Sequence, residues 1–229
     1  MPVRKKAPED LTAKKALALE VIRRLKAEYP DAGCTLDYDH AWQLLVSVRL
    51  AAQCTDARVN IVVEELFAKY PSVAALAAAE PEDIEAIVKP CGLGHSKARD
   101  ISACMRMLRD KYDCRVPNTF EELLALPGVG RKSANLIMGD VFGKPAIVTD
   151  THCIRLCNKI GLVDGIKEPQ KVEMALWKII PPAEGSDLCH RFVMHGRAVC
   201  NARKPECEKC CLKDICRTAR EAAGQQAEP

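Results

Sequence analysis

Four cysteines near the carboxyl end of the chain have the spacing of metal ligands. They follow the pattern C-x6-C-x2-C-x5-C, and the residues are Cys200, Cys207, Cys210 and Cys216. Four thiolates within seventeen residues can surround one metal centre, and the C-x2-C pair has the ordinary spacing of a thiolate chelate. Buried structural cysteines are a poor alternative, because the segment is rich in lysine, arginine and glutamate. From the spacing alone, zinc and an iron–sulfur cluster remain equally open.

The other cysteines call for a different explanation. The chain has 13 cysteines, an odd number, and its start, Met1–Lys6, is charged and lacks the apolar segment of a signal peptide. We therefore expect no export, and unexported thiols are more often metal ligands or small buried residues than disulfides. Cys211 is expected not to be a ligand, because adjacent side chains rarely point at the same centre.

A glycine-rich turn in Leu126–Ala134 could hold a phosphate. Gly128 and Gly130 flank Val129 and come directly before Arg131. Glycine leaves backbone N–H groups accessible, and the following helix adds the positive end of its dipole. Together they form a phosphate-binding corner. An ordinary turn between helices would also explain the glycines, but the apolar helices predicted on both sides favour the phosphate site.

A lysine and an aspartate complete the residues that could do chemistry. Lys132 opens the helix after the glycine turn, and Asp150 follows eighteen residues later, within Val148–His152. A lysine attacks only as the neutral amine, and a carboxylate at a helix start stays ionised. Each residue also has an ordinary interpretation, since Asp150 could be a simple helix cap and Lys132 a surface lysine.

Composition and charge restrict the possible partners. The chain has 229 residues, 48% of them hydrophobic, which suffices for one large or two small globular domains. Net charge is only +3, but eight Lys and Arg lie between His190 and Arg220 against three acids. This excess suits a polyanion such as DNA, although a solvated surface explains it equally well. No apolar run approaches the roughly 18 residues of a membrane span.

The elements that must position these residues are helices. Apolar residues recur at helical spacing along the chain, which predicts about ten helices, and no segment indicates a strand. Thr55 is suited to cap one helix, and the T-x-x-E pattern from Thr119 to Glu122 starts another just before the glycine turn. The tail, Gln225–Pro229, is expected to fray. Later helices are predicted over Thr151–Ile160, Pro169–Ile180 and Ser186–Val199.

The combination of LPGVGRKSA, VTDTH and the four-cysteine pattern resembles endonuclease III, a family of bifunctional DNA glycosylases with lyase activity. The resemblance runs from about residue 15 to 218, and LAAQCTD and GLGHSKA are similar to two further family segments. It implies an all-α, helix-hairpin-helix DNA glycosylase fold with two helical domains flanking a DNA-binding cleft. Residues 34–144 would form a six-helix bundle, and residues 1–33 with 145–229 a discontinuous domain. That second domain would carry a 4Fe–4S cluster on the four cysteines.

The resemblance also implies a role for each matching position. Lys132 would attack C1′ of the damaged nucleotide, and Asp150 would assist by proton transfer or by stabilising positive charge on the sugar. The resulting Schiff base permits β-elimination of the 3′ phosphate. The backbone contact to DNA would come from Gly128, Val129, Gly130 and Arg131. Gln53 and Leu93 would fill the gap left when the base leaves the helix stack.

Substrate preference is the least determined part of this interpretation. Gly94, His95, Thr149 and Cys153 depart from the commoner family residues. We expect removal of oxidised pyrimidines of the thymine-glycol type from duplex DNA, by a monomer in a bacterial-like cytoplasm, associated with the nucleoid. A pyrimidine-dimer or mismatch glycosylase on the same scaffold is an alternative, and so is a non-catalytic DNA-binding module. Adenine-mismatch glycosylases lack the lysine and carry a further carboxyl-terminal domain, whereas this chain ends thirteen residues after Cys216.

Overall fold

The protein is helical throughout the part that the computed structural model describes, residues 11–224. These residues form twelve α-helices and three short 3₁₀ turns, and none of them lies in a strand. The all-α fold predicted from the periodicity is confirmed. The expectations for Met1–Lys6 and for the tail Gln225–Pro229 fall outside the described residues. None of the described helices has the length and apolar character that crossing a membrane requires.

The chain divides into two compact units. The central unit is Cys34–Lys144, and the terminal unit comprises the residues up to Gly33 together with those from Pro145 onward. The helices of the central unit are α2 (Ala41–Leu50), α3 (Asp56–Lys69), α4 (Val73–Ala78), α5 (Pro81–Val88), α6 (Gly94–Lys111), α7 (Phe120–Ala125) and α8 (Arg131–Asp140). Those of the terminal unit are α1 (Leu11–Glu28), α9 (Thr151–Ile160), α10 (Pro169–Leu176), α11 (Gly185–Ala198) and α12 (Arg217–Ala222).

Local signals set the helix starts of the central unit. The hydroxyl of Thr55 accepts a hydrogen bond from Arg58 N at 3.3 Å at the start of α3, and Thr119 caps α7 in the same way through Glu122 N. Pro81 occupies the first position of α5, where its fixed φ suits a helix. Helix α6 packs against both α4 and α5. The core between these helices includes the fully buried Leu44, Leu66, Leu76, Ile84, Met105 and Leu108, and each such side chain contributes about 1.5–3 kcal/mol.

In the terminal unit, α11 packs against α1 and α9, and α12 packs against α9. Asp164 accepts hydrogen bonds from Lys14 and Arg217, and so joins α1 to α12. Helix α10 ends at Leu176, four residues before the predicted end, so that boundary was wrong. The reason is local: the Lys178 and Ile179 amides donate three residues back, to Ala175 and Leu176, which tightens the last turn.

Candidate functional site

The glycine turn between α7 and α8 can be built only with glycine at its first position. Gly128 has φ +74°, and a Cβ there would lie 2.9 Å from Asp100 Cβ and 3.2 Å from Arg49 Cδ. Arg49 Nε donates to Asp100 Oδ2 at 2.7 Å, so the turn lies on an ion pair between α2 and α6. The Val129 amide donates to Leu126 O at 3.1 Å and closes the turn. The Arg49–Asp100 ion pair and the Val129–Leu126 hydrogen bond therefore hold the turn in one conformation.

The second glycine of the turn faces open space. Gly130 is the N-cap of α8, with φ −97° and ψ 176°, and a Cβ added there would meet nothing within 4 Å. The first N–H groups of a helix have no partner within the helix. The opening of α8 beyond Gly130 thus has the geometry and the partial positive charge that suit an anion.

Two basic side chains follow Gly130, and they differ in their surroundings. The Arg131 guanidinium lies over the Phe120 ring, with 4.9 Å from Cζ to the ring centroid. This stacking orients the side chain along the start of α7. Lys132, the next residue of α8, is exposed. Of the two, Lys132 is the one whose amine reaches solvent from the first turn of the helix.

Asp150 begins α9 in the terminal unit as its N-cap. One carboxylate oxygen accepts a hydrogen bond from Cys153 N at 2.7 Å, and the side chain is half-buried. Buried Ala146–Thr149 leads up to it, so the backbone that carries the carboxylate is fixed. Asp150 is therefore a helix cap, as one interpretation of the sequence expected. The cap hydrogen bond uses one of its two carboxylate oxygens.

Three thiols pack together near the start of α9, a grouping that the spacing of the cysteines in the chain does not predict. Cys153 Sγ lies 3.9 Å from Cys157 Sγ, and Cys189 Sγ accepts a hydrogen bond from Val148 N at 3.2 Å. The contact with Cys157 and complete burial raise the pKa of the Cys153 thiol well above its usual range. The contact with Cys153 and burial do the same for the pKa of Cys189. Cys153 and Cys189 therefore stay protonated and serve as packing residues.

Gln53 and Leu93 stand at the tips of two short loops of the central unit. Both have left-handed backbone, with φ 58° and 51°, which is uncommon for residues other than glycine. Gln53 is exposed and Leu93 is 58% exposed, although leucine is usually buried. Neither is therefore a core residue. Sequence reasoning missed Lys97, which is fully buried and donates to the carbonyls of Leu50 and Cys91, just before these two loops. The only signal was the similarity of GLGHSKA to a family segment.

The four cysteines of the C-x6-C-x2-C-x5-C pattern line one cavity of about 40 Å³. Cys211 is not among the lining residues, and its carbonyl accepts from Arg24 instead. Lys159 and Lys213 also line the cavity, and the charge of Lys159 opposes the rise that burial causes in the pKa of Cys200. Within residues 11–224, no three His, Cys, Asp or Glu side chains converge closely enough to hold a single metal ion. The donor set is thus four thiols around one cavity.

A buried histidine connects this cavity to α1. His195 Nε2 lies 3.3 Å from Cys210 Sγ, and its Nδ1 lies 3.0 Å from the Tyr29 hydroxyl. The His195 carbonyl accepts from Cys200 N at 2.8 Å. Burial raises the pKa of Tyr29 to about 12, so its hydroxyl stays protonated. Two of the four cysteines are therefore positioned by one residue of α11, Cys210 through the imidazole and Cys200 through the backbone carbonyl.

Comparison with known proteins places these features in a wider group. The family described as the HhH-GPD superfamily of base excision DNA repair proteins matches residues 46–182. An endonuclease III of Synechocystis is 42% identical over 210 residues, which cover 91% of this chain and 95% of the relative. A solved non-covalent endonuclease III–DNA complex superposes with a TM-score of 0.86 at 38% identity, covering 92% of this chain and 98% of that one. A trapped endonuclease III–DNA covalent intermediate gives the same TM-score at 39% identity, covering 91% and 98%.

Proposed function

Because the chain belongs to the HhH-GPD superfamily of base excision DNA repair proteins, we propose a role in that repair for each residue of the candidate site. The protein is a bifunctional DNA glycosylase and AP lyase, and its partner is DNA. The observation that carries the assignment of roles is the rigid glycine turn followed at once by an exposed lysine on the first turn of α8.

Lys132 is the nucleophile. Its neutral amine attacks C1′ of the damaged nucleotide, the glycosidic bond breaks, and the base leaves with the bonding electrons and acquires a proton. Loss of a proton from the nitrogen and opening of the sugar give a Schiff base. Removal of a C2′ proton then expels the 3′ phosphate and cleaves the strand. Exposure of Lys132 is what this requires, because the target sugar belongs to a second molecule.

Asp150 assists the attack by Lys132. Its cap hydrogen bond to Cys153 N holds the carboxylate in one orientation. A fixed carboxylate can accept the proton that the amine releases, or stabilise positive charge as it develops on the sugar.

The glycine turn binds a backbone phosphate without reading sequence. The Gly128 and Gly130 amides and the first N–H groups of α8 are the donors, and Arg131 adds charge beside them. Val129 closes the turn through its hydrogen bond to Leu126, so it contributes the shape that presents those donors. Phosphates are the same in every sequence, so this contact serves damaged and undamaged DNA alike.

Gly130→Asp tests the phosphate site without disturbing the fold. Because the position is open and its φ is ordinary, the variant should have the same melting temperature as the wild type. Hydrogen bonds to charged groups are worth about 1.5–3 kcal/mol, so duplex affinity should fall about 10–100-fold, equally with and without a lesion. Gly33→Asp, which adds the same charge at another open glycine, is the control and should bind normally. Normal binding by Gly130→Asp in a fluorescence anisotropy titration would refute the phosphate site.

A 4Fe–4S cluster is the group that Cys200, Cys207, Cys210 and Cys216 would hold. Four thiol donors that line one cavity are the ligand set of such a cluster, one thiolate for each iron. When bound, the cluster would cross-link four points of the basic carboxyl-terminal segment and fix its shape. Lys159 and Lys213 beside the cavity offset the negative charge of the ligands.

Two single substitutions test the ligand set. Cys207→Ala should abolish the absorbance at about 400 nm that is expected of a 4Fe–4S protein. It should also lower the iron content below the wild-type value of about four atoms per chain. Cys211→Ala is the matched control, because Cys211 lies outside the cavity, and it should keep both. Iron determination and visible spectroscopy on the purified proteins measure the outcome. One zinc and no iron in the wild type would overturn the assignment.

The lesion that fits the family resemblance is an oxidised pyrimidine such as thymine glycol, in DNA of the bacterial cytoplasm. Gln53 and Leu93 would enter the gap that the extruded nucleotide leaves, and their exposure on loop tips supports this role. A panel of duplexes, each with one lesion, tests the preference through single-turnover excision rates. Faster excision from a pyrimidine-dimer or mismatch duplex than from a thymine-glycol duplex would assign a different substrate.

A further inference from the structure

A lysine in α6 is the most deeply buried charged residue of the central unit. Lys97 has 0% of its surface exposed, and its ammonium donates to Leu50 O and to Cys91 O, each at 2.8 Å. Burying an ammonium is unfavourable unless hydrogen bonds replace its water. A charged group retained in such a place implies that its two contacts matter.

Both acceptors are carbonyls at helix ends. Leu50 is the last residue of α2, and Cys91 is the last residue of the 3₁₀ turn Lys89–Cys91. Carbonyls at a helix end have no partner within the helix and carry partial negative charge. One ammonium therefore satisfies two helix ends at once and joins them at a fixed separation.

The segments that leave these two ends carry Gln53 and Leu93. Residues 51–54 follow α2, and Gly92 and Leu93 follow the 3₁₀ turn. Each segment holds a left-handed residue other than glycine, a conformation that needs support from its surroundings. Lys97 gives a third contact, because its own amide donates to Leu93 O at 3.0 Å.

We propose that Lys97 is a positioning residue that joins the loops of Gln53 and Leu93, so that both side chains enter the DNA gap in one register. The inference rests on the proposed function, in which these two side chains fill the gap. A positive charge alone would not join the loops. The side chain must also be long enough for its ammonium to donate to both carbonyls. A neutral, apolar and unbranched side chain of similar length occupies most of the space and leaves both carbonyls without their donor.

Lys97→Met makes this change and is tested on the full-length protein. Hydrogen exchange should show faster exchange at Cys54 N and Gly92 N, whose hydrogen bonds to Ala51 O and Lys89 O close the two loops. With the wild type, 2-aminopurine placed beside thymine glycol should become more fluorescent as it unstacks, and Lys97→Met should lose most of this increase. Misplacement of a positioning group costs about 10–100-fold in rate, and we expect that loss in single-turnover excision, with affinity for undamaged duplex unchanged.

A double-mutant cycle separates positioning from general stability. In a Gln53→Ala, Leu93→Ala background, Lys97→Met should have no further effect on excision, because the side chains that it positions are gone. Leu76→Ala, which removes a fully buried core side chain of the same unit, is the stability control and should keep its excision rate. If Lys97→Met does not fold, Lys97→Gln takes its place in the same cycle; its shorter side chain should weaken both hydrogen bonds, so the same changes are expected at a smaller size.

The possible results distinguish a failure of the role of Lys97 from a failure of the proposed function. Unchanged hydrogen exchange, an equal loss with Leu76→Ala, or the same loss in the double-alanine background would overturn the role of Lys97 and leave the proposed function standing. A wild-type protein that excises none of the tested bases would overturn the proposed function, while the hydrogen-exchange result would still test whether Lys97 joins the loops.

Discussion

Replacement of Lys132 by glutamine should eliminate the covalent protein–DNA adduct. Glutamine has a similar length and a good helix propensity, so the first turn of α8 and the glycine turn before it keep their structure. The amide nitrogen of glutamine has no available lone pair, so neither attack at C1′ nor a Schiff base can occur. Loss of a covalent nucleophile typically costs at least about 10⁴-fold. Affinity for duplex DNA should remain, because the donors to the phosphate are backbone groups.

Borohydride trapping on a thymine-glycol duplex measures this prediction, since the reagent reduces the Schiff base to a stable bond. Lys111→Gln, at the exposed end of α6, is the matched control and should be trapped like the wild type. A trapped adduct with Lys132→Gln would show that another amine, such as the chain's amino terminus, is the nucleophile. The assignment of Lys132 would then be wrong.

Asp150→Asn should slow excision strongly while leaving the fold intact. The asparagine side-chain oxygen can accept the hydrogen bond from Cys153 N that caps α9, and asparagine is as good a cap as aspartate. What disappears is the negative charge and the ability to take a proton, and such help is worth about 10²–10⁴-fold. Binding should be equal or tighter, because one charge that repels phosphate has been removed. Some adduct should still form on long incubation.

Asp150→Ala separates the cap from the chemistry. It removes both, so its excision rate should match that of Asp150→Asn, while its stability should be lower by about 1 kcal/mol through loss of the cap. Single-turnover rates and thermal melts of the two variants give both numbers. Wild-type excision by Asp150→Asn would reduce Asp150 to a structural cap.

The sequence by itself determined the features that depend on near neighbours in the chain. The all-α fold and the family membership are confirmed, and helix starts at Thr55, Pro81 and Thr119 follow from capping and proline chemistry. The turn at Gly128 has the positive φ that glycine permits. Such signals act within a few residues, so they can be interpreted before any tertiary contact is known.

Burial and side-chain direction were decided only by the tertiary structure. Lysine is normally exposed, yet Lys97 is fully buried, because two helix ends distant in sequence supply its acceptors. The grouping of Cys153, Cys157 and Cys189 likewise needs α9 to pack on α11. The direction of the Arg131 side chain also depends on α7, whose first residue, Phe120, provides the ring that the guanidinium covers. In each case the deciding partner comes from another helix, and periodicity within one helix carries no information about which helix will pack against it.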